Sequence, residues 1–264
     1  MLKVESIKKS FNKGTVNESN IFNNFNLEIN KGDFVTIVGS NGAGKSTLLN
    51  IISGEIKLDS GRIILEEKDI TNLKENKRAK FISRVFQDPT KGTSPSMTIL
   101  ENLSLADNKG SRFGLSLGVN KRKIEEFKNQ LSVLNLGLED KLNTKVGMLS
   151  GGQRQALSLL MATLNTPKIL LLDEHTAALD PKTSETIIKL TNNIVKQKEI
   201  TAIMITHNLT HAIEFGNRLV MMHRGEAILD IGKLEKSKLT KNNLVEEFSK
   251  ITFKEDLSDR VMFA

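Results

Sequence analysis

The sequence predicts an α/β fold, a mostly parallel sheet with helices on both faces, and three stretches carry that reading. FVTIVG (34–39), KILLLDE (168–174) and ITAIMITH (200–207) are short apolar runs rich in branched side chains, as strands buried on both faces require. Each runs into a helix-forming segment: the stretch that opens SNGAGKSTLLNIISG, residues 182–198, and residues 208–215. Strands that alternate with helices pair in parallel, because the return path between them is a crossover helix. A chain of 264 residues can bury the core such a domain needs.

The remaining elements follow in order. Residues 2–7 and 25–29 alternate apolar and polar side chains, the pattern of half-buried strands. The helix after FVTIVG is closed by Gly54. SGRIILEEKDI (60–70) is a strand with a turn, and KFISRVFQD (80–88) is a strand that Pro89 ends. From about 90 to 155 helical periods broken by Gly and Ser, including KRKIEEFKNQLSVLNL (121–136), mark a helical insertion. RLVMMHRGEAILDIG (218–232) returns to strand character, and the Lys-rich last thirty residues or so predict a helical tail. No internal repeat or low-complexity tract is present.

Apolar residues at 38% and charged residues at 26% describe an ordinary soluble composition. No apolar run reaches the ~18 residues that cross a bilayer, and MLKVESIKKSF lacks the apolar stretch of a signal peptide. The expected place is therefore the cytoplasm, unless a partner holds the chain at a membrane. The absence of Cys excludes disulfides and thiolate metal sites and fits a reducing compartment. The net charge of +7 is spread along the chain with acidic residues interleaved, which argues against a nucleic-acid partner.

Three motifs carry chemistry. GSNGAGKST, Gly39 to Thr47, fits G-x-x-x-x-G-K-[ST] with a strand before it and a helix after it. Its glycines let successive N–H groups of Gly39, Ser40, Asn41, Gly42, Ala43 and Gly44 point inward at phosphate oxygens, and the helix N-terminus adds its dipole. Lys45 can reach β- and γ-phosphates, and Ser46 can ligate Mg²⁺. ILLLDE (169–174) sets Asp173 at the exposed end of a buried strand, where it can hold Mg²⁺ through water. Glu174, one residue on, can deprotonate an attacking water. LSGGQRQ (149–155) puts Ser150 at an N-cap, and Gly151 and Gly152 leave N–H groups open at a helix mouth that starts near Gln153. One phosphate does not need two such cradles, so the economical reading takes them from different copies of the chain.

The order GSNGAGKST, Gln87, LSGGQRQ, ILLLDE, AALD and ITH resembles the ATPase subunit of ABC transporters over about residues 1–232. The resemblance implies a P-loop NTPase core with a mostly parallel sheet, an N-terminal antiparallel β-subdomain, a helical subdomain inserted at about 89–156, and a tail at 233–264. It implies ATP and Mg²⁺ as cofactors and a head-to-tail homodimer that sandwiches two ATPs. On that pattern Lys45, Ser46 and Thr47 bind phosphates and the metal, and Gln87 senses the metal and the attacking water. Ser150, Gly151, Gly152 and Gln153 meet the other copy's nucleotide. Asp173 and Glu174 are the metal aspartate and the catalytic glutamate, Asp180 belongs to the loop at the dimer seam, and His207 contacts the γ-phosphate. Phe11 stands at the adenine-stacking position, with Val16 lining the same pocket; a phenyl ring still offers a π-face. His175 replaces the proline common after Asp-Glu, and Ala177 replaces a serine. His211 and His223 read as surface or packing residues.

With no span of its own, the chain needs a separate permease if it transports anything, and residues 85–106 lie where these ATPases grip one. The wording of 85–106 and of DEHTAALDPKTSETI resembles ATPases encoded with a substrate-binding lipoprotein and a small permease, some of which resemble tryptophan and tyrosine importers. The chain has 12 Phe but no Tyr and no Trp. Tyr shares AT-rich codons with the abundant Lys, Asn and Phe, so drift in composition predicts several tyrosines. The expectation is a protein translated when those two amino acids are scarce because it powers their uptake, from a position on the inner face of the membrane. The alternatives are an ATPase for export or for lipid or lipoprotein extraction, and a regulatory ATPase outside transport.

Overall fold

The computed structural model describes residues 1–109, 118, 119, 121–247 and 249. Residues 110–117 and 120 of the predicted insertion, and the predicted tail beyond 249, lie outside the described residues.

The first two strands, β1 (Leu2–Phe11) and β2 (Ser19–Ile29), pair antiparallel from Leu2 opposite Ile29 to Phe11 opposite Ser19. Both run longer than the alternating pattern indicates: β1 continues to Phe11, and the added part of β2 carries Phe22, which is buried in the core. β3 (Phe34–Gly39) is the buried run FVTIVG, and α1 (Lys45–Ser53) ends at Gly54 as predicted, with Gly54 in the left-handed region. β4 (Ser60–Leu65) and β5 (Lys68–Asp69) are joined by a turn at Glu66 and Glu67, and α2 (Glu75–Arg78) leads into β6 (Ile82–Val85). The helical unit holds α3 (Ile99–Asp107), α4 (Ile124–Ser132) and α5 (Gly151–Thr163). The chain then alternates: β7 (Ile169–Asp173), α6 (Pro181–Gln197), β8 (Thr201–Ile205), α7 (Leu209–Glu214) and β9 (Arg218–His223). β10 (Glu226–Ile231) and α8 (Lys233–Lys236) follow, and residues 241–247 are helical.

Two sheets result. The smaller has the order β2-β1-β4-β5 and is antiparallel throughout; the larger runs β10-β9-β3-β8-β7-β6, parallel from β9 to β6 with β10 antiparallel at one edge. A shared core joins them: Leu2, Ile7, Phe22 and Ile63 of the small sheet pack with Leu48, Ile52, Ile37 and Ile205. The helical unit buries its own cluster of Ile99, Leu103, Phe127, Leu131 and Leu157, which reaches Ile187 of α6. Because β3, β7 and β8 are parallel neighbours, their C-terminal ends open on one edge of the sheet, where ligands bind in open α/β folds.

Candidate active site

The residues after β3, β7 and β8 meet there. Asn41 to Thr47, Glu174, His207 and Ile21 of β2 line one cavity of about 200 Å³. Gly39 begins the loop at φ +157, where a Cβ would lie 2.1 Å from the Met222 carbonyl oxygen of β9, so only glycine lets β3 turn here. Lys45 is buried and donates to the carbonyl oxygens of Gly39 and Ser40 at 2.8 and 2.9 Å, which places its ammonium inside the loop. Burial lowers its pKa, and the nearby carboxylates of Glu174 and Asp173 oppose that shift.

Glu174 sits in the left-handed region at φ +47, and its N–H donates to the Ile205 carbonyl of β8. That turn aims the carboxylate across the cavity at His207, whose Nε2 is 2.6 Å from Glu174 Oε1. An L-residue adopts this region only when its surroundings hold it there, a mark of functional turns. His175, next in line, points the other way: it is buried, and its Nε2 lies 3.0 Å from Thr191 Oγ1 of α6. Thr191 itself donates to the Ile187 carbonyl, so the imidazole supplies the proton to Thr191. Burial, and then the field of His211, push the His175 pKa down to about 3.

The LSGGQ segment lies outside this cavity. Ser150 caps α5 by accepting the Gln153 N–H at 3.3 Å, while the Gln153 side chain accepts the Ser150 N–H. Gly152 has a packing reason beyond open N–H groups: a Cβ there would fall 2.3 Å from Thr183 Cγ2 of α6. Asp180 caps α6 through the Thr183 N–H, ahead of Pro181. Gln87 is exposed just beyond β6, outside the residues that line the cavity. Phe11 ends β1 half-buried, with the Lys9 ammonium 5.1 Å from its ring centroid; Val16, in the turn beyond, is fully exposed, and neither lines the cavity. His211 is buried against Phe215 and Glu185, whereas His223 stands 3.3 Å from the hydroxyl of Ser40 in the phosphate loop.

Four residues went unread in one dimension. Ile21 lines the cavity from a strand of the other sheet. Gln155, fully buried in α5, donates to the Phe86 carbonyl and so ties the LSGGQ helix to the segment before Gln87. Arg84 reaches Asp173, and Thr183 sits over Gly152. An arginine inside the strand segment ISRVF and a glutamine just before the apolar run ALSLL were the available signals, and neither names its partner.

A glycine-built phosphate loop with its lysine, opposite a glutamate held by a histidine at the ends of parallel strands, defines a nucleotide-hydrolysing P-loop protein. Residues 22–177 match the ABC transporter family model, and the chain belongs to that family as an ATP-hydrolysing subunit. It is 52% identical over 248 residues to the tyrosine transport ATP-binding protein of Clostridioides difficile (strain R20291), covering 94% of this chain and 98% of that one. It is 38% identical to the spermidine/putrescine import ATP-binding protein PotA of Haemophilus influenzae, over 87% of this chain and 57% of the longer relative. A solved ATP-binding cassette, dimeric in a post-hydrolysis state and bound to ADP and Pi, superposes with a TM-score of 0.75 at 31% identity, covering 88% of this chain and 99% of that one.

Proposed function

We propose that the chain powers uptake of an aromatic amino acid, tyrosine first, through a separate permease. The observation that carries this reading is the 52% identity, over nearly the whole of both chains, to a tyrosine transport ATP-binding protein. The composition supports it independently: a chain with 12 Phe and neither Tyr nor Trp can be made when both are scarce.

The ATPase works as a head-to-tail homodimer. Lys45 and the loop N–H groups of Gly42 to Thr47 neutralise the phosphates, Glu174 takes the proton of the attacking water, and His207 holds Glu174 in place. Ser150 and Gly152 of the second copy close the other side, and Phe11 stacks on the base. Ser46 and Asp173 offer a hydroxyl and a carboxylate, hard oxygen donors that suit Mg²⁺. Mg²⁺ would shield the phosphate charge, with Gln87 nearby once the site closes.

Residues 85–106 supply the permease contact, at the inner face of the membrane, and an extracytoplasmic binding protein delivers the amino acid. Asn102 suits that segment to a docking role. Buried in α3, it accepts the Ser94 N–H and donates to the carbonyls of Ser94 and Thr98, which stiffens the loop at 94–98. Among the described residues no helix is long and apolar enough to cross a membrane.

The test is ATPase activity of the chain with its permease in vesicles, given binding protein loaded with tyrosine, tryptophan, methionine or spermidine. Stimulation by tyrosine or tryptophan alone is the expected result. Stimulation by methionine or spermidine instead would overturn the substrate assignment.

A further inference from the structure

The side chain of Arg84, on β6, spans four groups that belong to different parts of the nucleotide machinery. Its Nη2 donates to Asp173 Oδ2 at 2.5 Å, and its Nη1 donates to Asn50 Oδ1 of α1 at 2.6 Å and to Glu55 Oε2 at 2.9 Å. The guanidinium carbon lies 4.7 Å from the centroid of Phe86, the residue before Gln87. Arg84 is 11% exposed and Asp173 15%, so the pair is largely desolvated and screened little by salt. None of this follows from the P-loop pattern, which assigns no residue to the carboxylate's far oxygen.

A planar guanidinium holds a carboxylate in one orientation where a flexible ammonium does not. With Oδ2 taken by Arg84, Asp173 keeps Oδ1 as its second donor, and the side chain cannot turn edge-on without breaking a charge-assisted bond. The same guanidinium grips α1, the helix that carries Lys45 and Ser46 at its start, through Asn50. It also lines the groove of about 460 Å³ between the core and the helical unit, together with Phe86, Leu105, Lys109 and Met161. One side chain therefore fixes the metal-side aspartate relative to both the phosphate-loop helix and the segment that leads to Gln87.

We propose that Arg84 is a positioning residue for the metal site, which sets the orientation of Asp173 and its register with the phosphate loop. The proposal rests on the reading of Asp173 as the residue that meets the metal. It acts on ion affinity and not on nucleotide affinity as such, because its hydrogen bonds go to Asp173, Asn50 and Glu55 and not to the phosphate loop itself.

The experiment measures Mn²⁺ affinity of the ATP-saturated full chain by electron paramagnetic resonance of free Mn²⁺, beside binding of a fluorescent ATP analogue in EDTA. Arg84→Lys keeps the charge while losing the planar fork, and Asp173→Asn removes the carboxylate that the fork holds. Arg84→Lys is expected to weaken Mn²⁺ about 10-fold, the low end for loss of a ligand's outer partner, with metal-free nucleotide binding within about 2-fold of wild type. In the Asp173→Asn background the added Arg84→Lys should change nothing further. Wild-type Mn²⁺ affinity in Arg84→Lys, with loss in Asp173→Asn, would overturn the proposal and leave the Asp173 reading intact. Equal losses of Mn²⁺ and metal-free nucleotide binding would also overturn it, since they mark a general structural role. Wild-type Mn²⁺ affinity in Asp173→Asn would overturn the Asp173 reading itself.

Discussion

The two glycine-rich helix starts of this chain are finished in opposite ways. Around the phosphate loop, residues that follow three strand ends line one cavity, and Lys45 donates to the backbone carbonyls of Gly39 and Ser40, which holds its ammonium at the loop. At LSGGQ, Ser150 and Gln153 satisfy each other in a capping box, and Gly152 is pressed against Thr183. One region opens on a cavity within the chain; the other is closed by its own capping box and by packing on α6. Similar glycine-rich helix starts can thus line a pocket in one place and be closed by their own caps in another; in the proposed dimer, the capped one meets the nucleotide of a second copy.

Substitutions can erase this contrast, and the largest effect belongs to Glu174. Glu174→Gln should lower ATP hydrolysis by roughly 10²- to 10⁴-fold, the span for loss of a general base, while ATP binding persists and dimer accumulates on gel filtration. Normal phosphate release would remove the catalytic role from the cavity. Lys45→Ala should weaken nucleotide binding by about 10- to 100-fold in equilibrium titrations, as expected for a charged hydrogen bond worth about 1.5–3 kcal/mol. Unchanged affinity would mean that the loop amides alone make the pocket.

The packing behind Glu174 carries a pH signature. His175 has a folded pKa near 3 against an ordinary 6.5, so below pH 6.5 the unfolded chain takes a proton that the folded chain refuses. Stability is therefore intact above pH 6.5 and falls as the pH drops toward 3, by about 1.4 kcal/mol per pH unit from this residue. Urea midpoints at pH 7 and 5.5 should show a smaller drop in His175→Gln than in wild type; equal drops would place the acid sensitivity elsewhere.

The closed region gives the smaller effects. Gly152→Ala should cost about 1–3 kcal/mol by overpacking against Thr183, and Thr183→Ala in the same chain should restore most of it. Failure of that rescue would return Gly152 to a role in open N–H groups alone. Ser150→Ala should cost about 1 kcal/mol through the lost cap. No change in melting temperature would show that the box contributes no stiffness.

Much of the fold was legible because buried parallel strands leave a one-dimensional trace. FVTIVG, KILLLDE and ITAIMITH became β3, β7 and β8, the last two shortened at both ends, with Glu174 and His207 beyond their C-terminal ends lining the cavity. KFISRVFQD shrank to Ile82–Val85, since Phe86 leaves the sheet to line the groove. The helix read over 121–136 starts as a single tight turn at Lys121–Lys123 and is α-helical only from Ile124 to Ser132. The phosphate loop, Asp173, Glu174 and His207 were legible as motifs; the bond between Glu174 and His207 was not, because it depends on β7 and β8 lying side by side.

The alternation of strands and helices, the phosphate loop, the capped signature helix and the kind of chemistry these carry are all written in the sequence, since each rests on residues close in the chain. It took the folded chain to establish that Arg84 holds Asp173, that His175 turns away to Thr191, that Thr183 requires Gly152 to be small, and that Ile21 of the other sheet completes the cavity. His175 and Thr191 are 16 positions apart and Arg84 and Asp173 are 89 apart. At such separations periodicity and spacing carry no information, and only the packing of the sheet and its helices brings the partners within bonding distance.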